Sequence, residues 1–121
     1  MKKTVAILGA SQTKSRYANK VQKLLVEHGY SVVPINPKYD MIDGIKCYPS
    51  LTSFGLSIDT VTVYVKPSIF STIINSVIKA APKRVIFNPG TEKMEFSNSL
   101  RSVDIETEEA CTLVLLRANQ F

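Results

Sequence analysis

The chain has 121 residues, the size of one domain, and is 45% hydrophobic and 21% charged, which excludes a disordered chain. No apolar run nears the roughly 20 residues that would span a bilayer. The net charge of +5 suits an anionic ligand. The cations are scattered, with no tract longer than Lys2-Lys3 or Lys83-Arg84, so a nucleic-acid partner is not expected.

Cys47 and Cys111 lack CxxC spacing, and the one histidine, His28, is near neither in sequence. A structural zinc site needs about four ligands, so metal binding is not expected. Two isolated thiols, and a first strand where a signal peptide would need a longer apolar run, read as a cytoplasmic protein.

Thr4 to Leu8 is the first strand. A helix follows from Arg16 or Tyr17 to Glu27, with Val21, Leu24, Leu25 and His28 on its inner face and Gly29 closing it. Ser31 to Ile35 is the second strand, and Pro34 within it predicts a bulge or strain near its end. After a loop from Asn36 to Gly44, Leu51 to Phe54 form one helical turn. The β-branched run Thr60 to Val65 is the third strand.

Ser68 to Ala81 is a helix with Ile69, Ile73, Ser76, Val77 and Ala80 inward, stopped by Pro82. Arg84 to Phe87 is the fourth strand, ended by the turn Asn88-Pro89-Gly90. A helix near Met94 to Ser102 leads to a fifth strand near Val103 to Ile105. A loop, Glu106 to Ala110, and a short helix from Cys111 to Leu116 complete the chain. Strands alternating with helices predict a single α/β domain: a Rossmann-like doubly wound parallel sheet of about five strands, order 3-2-1-4-5.

Ligands on such sheets bind beyond the carboxyl ends of the strands, beside the first strand. That rule selects the loops Gly9 to Arg16, Asn36 to Lys38, Lys66 to Ser68 and Asn88 to Glu92. In the first, Gly9 permits a tight turn and close phosphate approach, and Ala10 follows it. Ser11, Gln12 and Thr13 offer polar groups at a helix start, with Lys14 and Arg16 adding charge. Ser11 stands where a GxGxxG fingerprint has its second glycine, which weakens a dinucleotide reading.

The second strand ends Asn36-Pro37-Lys38, without the carboxylate that accepts NAD ribose hydroxyls. A cation there suits a phosphate on the adenosine ribose, as in coenzyme A or, alternatively, NADP. Asp40 and Asp43 lie farther into the loop and leave NAD demoted rather than excluded.

With these motifs, together with Val63-Tyr64-Val65-Lys66-Pro67, Asn88-Pro89-Gly90-Thr91-Glu92 and Glu109-Ala110-Cys111-Thr112-Leu113-Val114, the chain resembles the small stand-alone bacterial CoA-binding proteins. Their fold is similar to the CoA-binding domain of the succinyl-CoA synthetase alpha subunit. The resemblance implies that Gly9 and Ser11 to Thr13 hold the pyrophosphate and Lys38 faces the ribose phosphate. It further implies that Tyr64, Val65, Lys66 and Pro67, with Asn88, Pro89 and Gly90, line the adenine and pantetheine path. The synthetase's phosphorylated histidine lies in a second domain, and His28 reads instead as a partly buried helix cap. The expected function is a non-catalytic module or subunit that binds CoA or acyl-CoA. Its partners would be a small-molecule nucleotide and another copy or subunit, with no membrane. The competing expectation is an NAD(P)-binding regulator or reductase fragment. Cys111 reads as a packing residue, with a ligand-facing thiol as the alternative.

Overall fold

A computed structural model describes residues 3–121. Its elements run β1 (Thr4–Leu8), α1 (Tyr17–Glu27), β2 (Ser31–Ile35), β3 (Met41–Ile42), β4 (Ile45–Lys46), α2 (Leu51–Phe54) and β5 (Thr60–Val63). They continue with α3 (Pro67–Ala80), β6 (Arg84–Phe87), α4 (Met94–Arg101), β7 (Glu106–Glu109) and α5 (Thr112–Arg117). Five strands form one parallel sheet in the order β2-β1-β5-β6-β7.

Side chains alternate across this sheet, because successive strand residues face opposite ways. Val5 and Ile7 of β1 pack with Ala18, Val21, Leu25, Leu113 and Leu116 of α1 and α5. Ala6 and Leu8 pack on the other side with Phe70, Val77, Phe96 and Leu100 of α3 and α4. Helices therefore cover both faces, which is the doubly wound Rossmann-like arrangement expected.

The order needs one reassignment of strands. Outside β2, Tyr48 alone makes a parallel bridge, to Ile35. Its N–H donates to Pro34 O and its carbonyl accepts from Asn36 N–H, each at 3.0 Å. This bridge takes third place in the 3-2-1-4-5 pattern, so Thr60–Val63 is the fourth strand and lies on the other side of β1. The cause is a two-residue hairpin, β3–β4, that folds the intervening chain on itself. Asp43 (φ 49) and Gly44 (φ 79) form its turn. Asp-Gly is the strongest short hairpin signal, and it stood unread inside the expected loop.

Pro34 causes no bulge, since the register Ile7↔Pro34 and Leu8↔Ile35 is unbroken. Its carbonyl faces Tyr48 rather than β1, so its missing N–H falls on the outer edge, where no ladder needs it. The last strand lies at Glu106–Glu109, three residues beyond its expected place. Glutamates have poor strand preference, and pairing with β6 from Arg84↔Glu106 to Phe87↔Glu109 overrides it.

Two helix faces also differ from expectation. In α1 the fully buried positions are Ala18, Asn19, Val21, Gln22 and Leu25, while Leu24 is half-buried and His28 is an exposed C-cap. In α3, Phe70 and Val77 enter the core, and Ile69 is 49% exposed. The Phe70 ring meets Phe87 and Phe96 at centroid distances of 5.2 and 4.8 Å. Among the described residues no helix is long and apolar enough to cross a membrane.

Phe70→Ala is therefore expected to cost about 3–5 kcal/mol, and Ile69→Ala no more than about 1 kcal/mol. Urea unfolding of the two variants measures both, and equal losses would contradict this assignment of the α3 faces.

Candidate functional site

The carboxyl ends of β1, β2, β5 and β6 bring the four expected loops to one end of the sheet. Between β1, β2 and α3 lies a cleft of about 180 Å³. Gly9, Asn36, Pro37 and Val65, four of the residues expected at the site, line it. Leu8, Ile35, Pro49, Ser50, Leu51, Ile69, Ile73 and Ser76 complete it and were not anticipated as site residues. The signal for Ile69, Ile73 and Ser76 was their i, i+4, i+7 spacing, which reads equally as a core stripe. Ser50 is placed by the capping box of α2, its hydroxyl accepting from Ser53 N–H at 3.2 Å. A serine at the third position makes that box hard to recognise, since Glu or Gln is usual there.

A larger depression of about 270 Å³ lies at the opposite ends of the strands, near Lys3, Asp59, Lys83 and Arg84. Two of its cations already have partners: Lys83 faces Asp59 at 3.5 Å and Arg84 faces Glu108 at 3.6 Å. The switch-point cleft is the mostly apolar one with adjoining cations, which is the usual make-up of a cofactor site.

Gly9 is at φ +92, and a Cβ there would lie 2.9 Å from Val65 Cγ1 and 3.1 Å from the Tyr64 carbonyl carbon. Its first requirement is thus close packing of β1 against the end of β5. The N–H groups of Gly9 and Ala10 both donate to Ile35 O, at 3.0 and 3.1 Å. Ser11 is buried, and its hydroxyl accepts from Thr13 N–H at 3.0 Å. Ser11 therefore shapes the loop with the side chain that displaces the glycine of the dinucleotide fingerprint. Helix α1 starts at Arg16 without a side-chain cap and without an acidic residue in its first turn, which leaves its positive end unopposed.

Lys14 is paired with Asp43, whose other oxygen accepts from Asn19 Nδ2 at 3.0 Å. Lys14, then Asn19, holds the Asp43 carboxyl below its ordinary range. Gln12 Nε2 donates to Met41 O at 2.9 Å, and Gln22 Nε2 to Ile42 O at 3.0 Å. The hairpin thus clamps the first loop to α1. Lys38 is exposed, and its side chain has no ion-pair or hydrogen-bond partner among the described residues. Its backbone N–H donates to Asn36 Oδ1 at 2.9 Å, which bends Asn36-Pro37-Lys38. Cys47 lies buried beneath this bend, its Sγ 3.5 Å from Asn36 O, and burial pushes its thiol pKa up.

The far side of the site is built differently. Asn88 is buried, donating to Thr62 Oγ1 at 2.7 Å and Val63 O at 2.9 Å. Its Oδ1 accepts from Thr112 N–H at 2.9 Å, and Thr62 and Thr112 hydroxyls meet at 2.8 Å. The Asn88 side chain is spent on joining β5, β6 and α5, so exposed Pro89 and Gly90, not Asn88, present a surface there. Lys66 caps α3 with its backbone, and Pro67 is the first residue of that helix. Cys111 is half-buried at the cap of α5. The Tyr64 hydroxyl is buried with no hydrogen-bond partner among the described residues. Burial, then the neighbouring Cys111, pushes its pKa far above the ordinary tyrosine value.

Residues 3–117 match the CoA binding domain family, and the chain belongs to it. It is 32% identical over 105 residues to the ADP-forming acetate–CoA ligase of Methanocaldococcus jannaschii, covering 84% of this chain and 15% of that protein. It is also 34% identical over 62 residues to the uncharacterized protein YneT of Bacillus subtilis, covering 51% of this chain and 46% of that one. The chain thus spans less than half the length of either relative. A hypothetical protein from Pyrococcus horikoshii superposes with a TM-score of 0.89 at 36% identity, covering 97% of this chain and 83% of the other.

A tyrosine that keeps its proton more tightly when folded adds stability below about pH 10, and that stability is lost as pH rises toward the raised folded pKa. Tyr64→Phe deletes an unpartnered hydroxyl, so stability at pH 7 is expected to stay equal or rise. Its alkaline loss above about pH 10 should shrink relative to wild type. Urea midpoints at pH 7 and in the alkaline range check both signs.

Proposed function

We propose that this chain binds coenzyme A, with its adenine end in the cleft and its diphosphate over the first loop. The observation that carries the reading is an apolar cleft beside exposed Lys38, unpaired among the described residues, where an NAD site has a carboxylate. At about 180 Å³ the cleft is smaller than a pocket for a whole drug-sized ligand, so it suits one end of a long one. Pro37, Leu51, Val65 and Ile69 offer apolar walls to a flat base. Lys38 would meet the ribose phosphate, and the open start of α1 would face the diphosphate. The pantetheine arm would then run past Lys66 and Pro67 toward Pro89 and Gly90. Membership of the CoA binding domain family supports the same ligand.

The module itself performs no chemistry in this reading. Ser11 is committed to its own loop, and Tyr64 beside Cys111 is held protonated, so neither acts as a base at neutral pH. His28 closes α1 about 16 Å, eleven residues at 1.5 Å each, from the loop at its start. The chain would hold the coenzyme as a carrier or as a subunit for a partner that supplies the reacting groups.

Titration calorimetry at one salt concentration tests this, with CoA expected to bind more tightly than NAD, NADP or ADP. Lys38→Ala should weaken CoA about tenfold and leave dephospho-CoA within about twofold, because only CoA carries the ribose phosphate. Equal or tighter NAD binding would overturn the reading.

A further inference from the structure

Five consecutive backbone amides leave the end of β1, at Gly9 to Thr13, and three are already committed. Gly9 and Ala10 donate to Ile35 O, and Thr13 to Ser11 Oγ. The two carbonyls in between are also held. Ala10 O accepts from Asn36 Nδ2 at 2.8 Å, and Ser11 O accepts from Asn19 Nδ2 at 2.9 Å. Asn19 is fully buried, so its grip on Ser11 O is not shared with water.

A planar trans peptide sets the N–H of one residue opposite to the C=O of the residue before it. Asn36, by drawing in the Ala10 carbonyl, therefore turns the Ser11 N–H the other way. Asn19 does the same for the Gln12 N–H. These two adjacent donors have no partner among the described residues. Successive free N–H groups of this kind make an anion-binding concavity. The flanking amides of Gly9, Ala10 and Thr13 are closed off by the fold.

We infer that Asn19 and Asn36 are positioning residues that select the Ser11 and Gln12 amides as the contacts for the ligand's diphosphate. The inference rests on the coenzyme A reading and adds which donors are used and what aims them. The two asparagines come from different elements, α1 and the end of β2, and converge on neighbouring carbonyls. Asn19 is buried and lines no part of the cleft, so it acts only through the loop.

Amide-resolved NMR of the wild-type protein, titrated with CoA and separately with inorganic pyrophosphate, tests the selection directly. Ser11 and Gln12 amide resonances should move most, with Gly9, Ala10 and Thr13 nearly still. Asn19→Ala tests the aiming, because Asn19 is buried, lines no part of the cleft and holds Ser11 O. That variant should bind CoA and pyrophosphate about tenfold more weakly, with adenosine unchanged within about twofold. If it does not fold, Asn19→Ser enters the same titrations, and the wild-type spectra decide in any case. CoA binding that shifts Gly9, Ala10 or Thr13 as much as Ser11 and Gln12 would overturn the inference and leave the coenzyme reading standing. An equal loss of adenosine affinity in the variant would do the same. If no ligand moves any amide of the loop, the coenzyme reading fails first and this inference with it.

Discussion

Everything beyond the carboxyl ends of the strands depends on how closely β1 and β5 approach where both strands end. Gly9 sits at φ +92 with no room for a Cβ, its neighbour Val65 being 2.9 Å from where that atom would stand. Because the strands meet so tightly, the chain leaves β1 at one fixed angle, and both following amides close on Ile35 O. The loop, the cleft beneath it and the entry into α1 inherit that angle. A branched residue at Gly9 would thus disturb the sheet before it disturbed any ligand, so phosphate binding and folding cannot be separated at this position. The glycine is read in a dinucleotide fold as making room for phosphate; here its demand is internal packing.

The two halves of the site are stabilised by different means. The near half is a set of loops clamped by side chains: Gln12 to Met41, Lys14 and Asn19 to Asp43, Asn36 to Ala10. The far half is a buried polar network centred on Asn88, with its amide and both partner threonines mutually satisfied. Buried networks of that completeness rigidify what they join. In the ADP-forming ligase relative the matching region is only 15% of a longer protein. In this chain the network makes the far half a fixed surface at this end of the sheet.

Much of this was legible in the sequence, for definite reasons. β1, β2, β5 and β6 are apolar or β-branched runs bounded by turn residues, and their loops fall at the switch point by topology alone. Gly9, Asn36 and Pro37, which line the cleft, were expected at the site for that reason, and Val65 through the resemblance to CoA-binding proteins. What stayed hidden depended on long-range pairing. β7 is three glutamates and a threonine, a strand only because β6 is beside it. Ile69 and Ile73 carry helical periodicity without revealing that they face a cleft while Phe70 faces the core. Asn88 looked like a ligand contact because turns at strand ends often are, yet its side chain is consumed by Thr62, Val63 and Thr112. The hairpin was missed although Asp43-Gly44 announced it, because its strands are two residues each.

The two rims of the sheet differ in chemistry but share an effect. Along β2, Pro34 withholds a donor and the Tyr48 bridge occupies part of the margin. Along β7, three of four side chains are carboxylates, so a second copy laid against it would bring like charges face to face. Exposed strand margins are where parallel sheets recruit foreign chains and begin to aggregate. Here both margins discourage a further strand, one by lost hydrogen bonding and the other by repulsion. Both margins thus work against adding a sixth strand to the sheet.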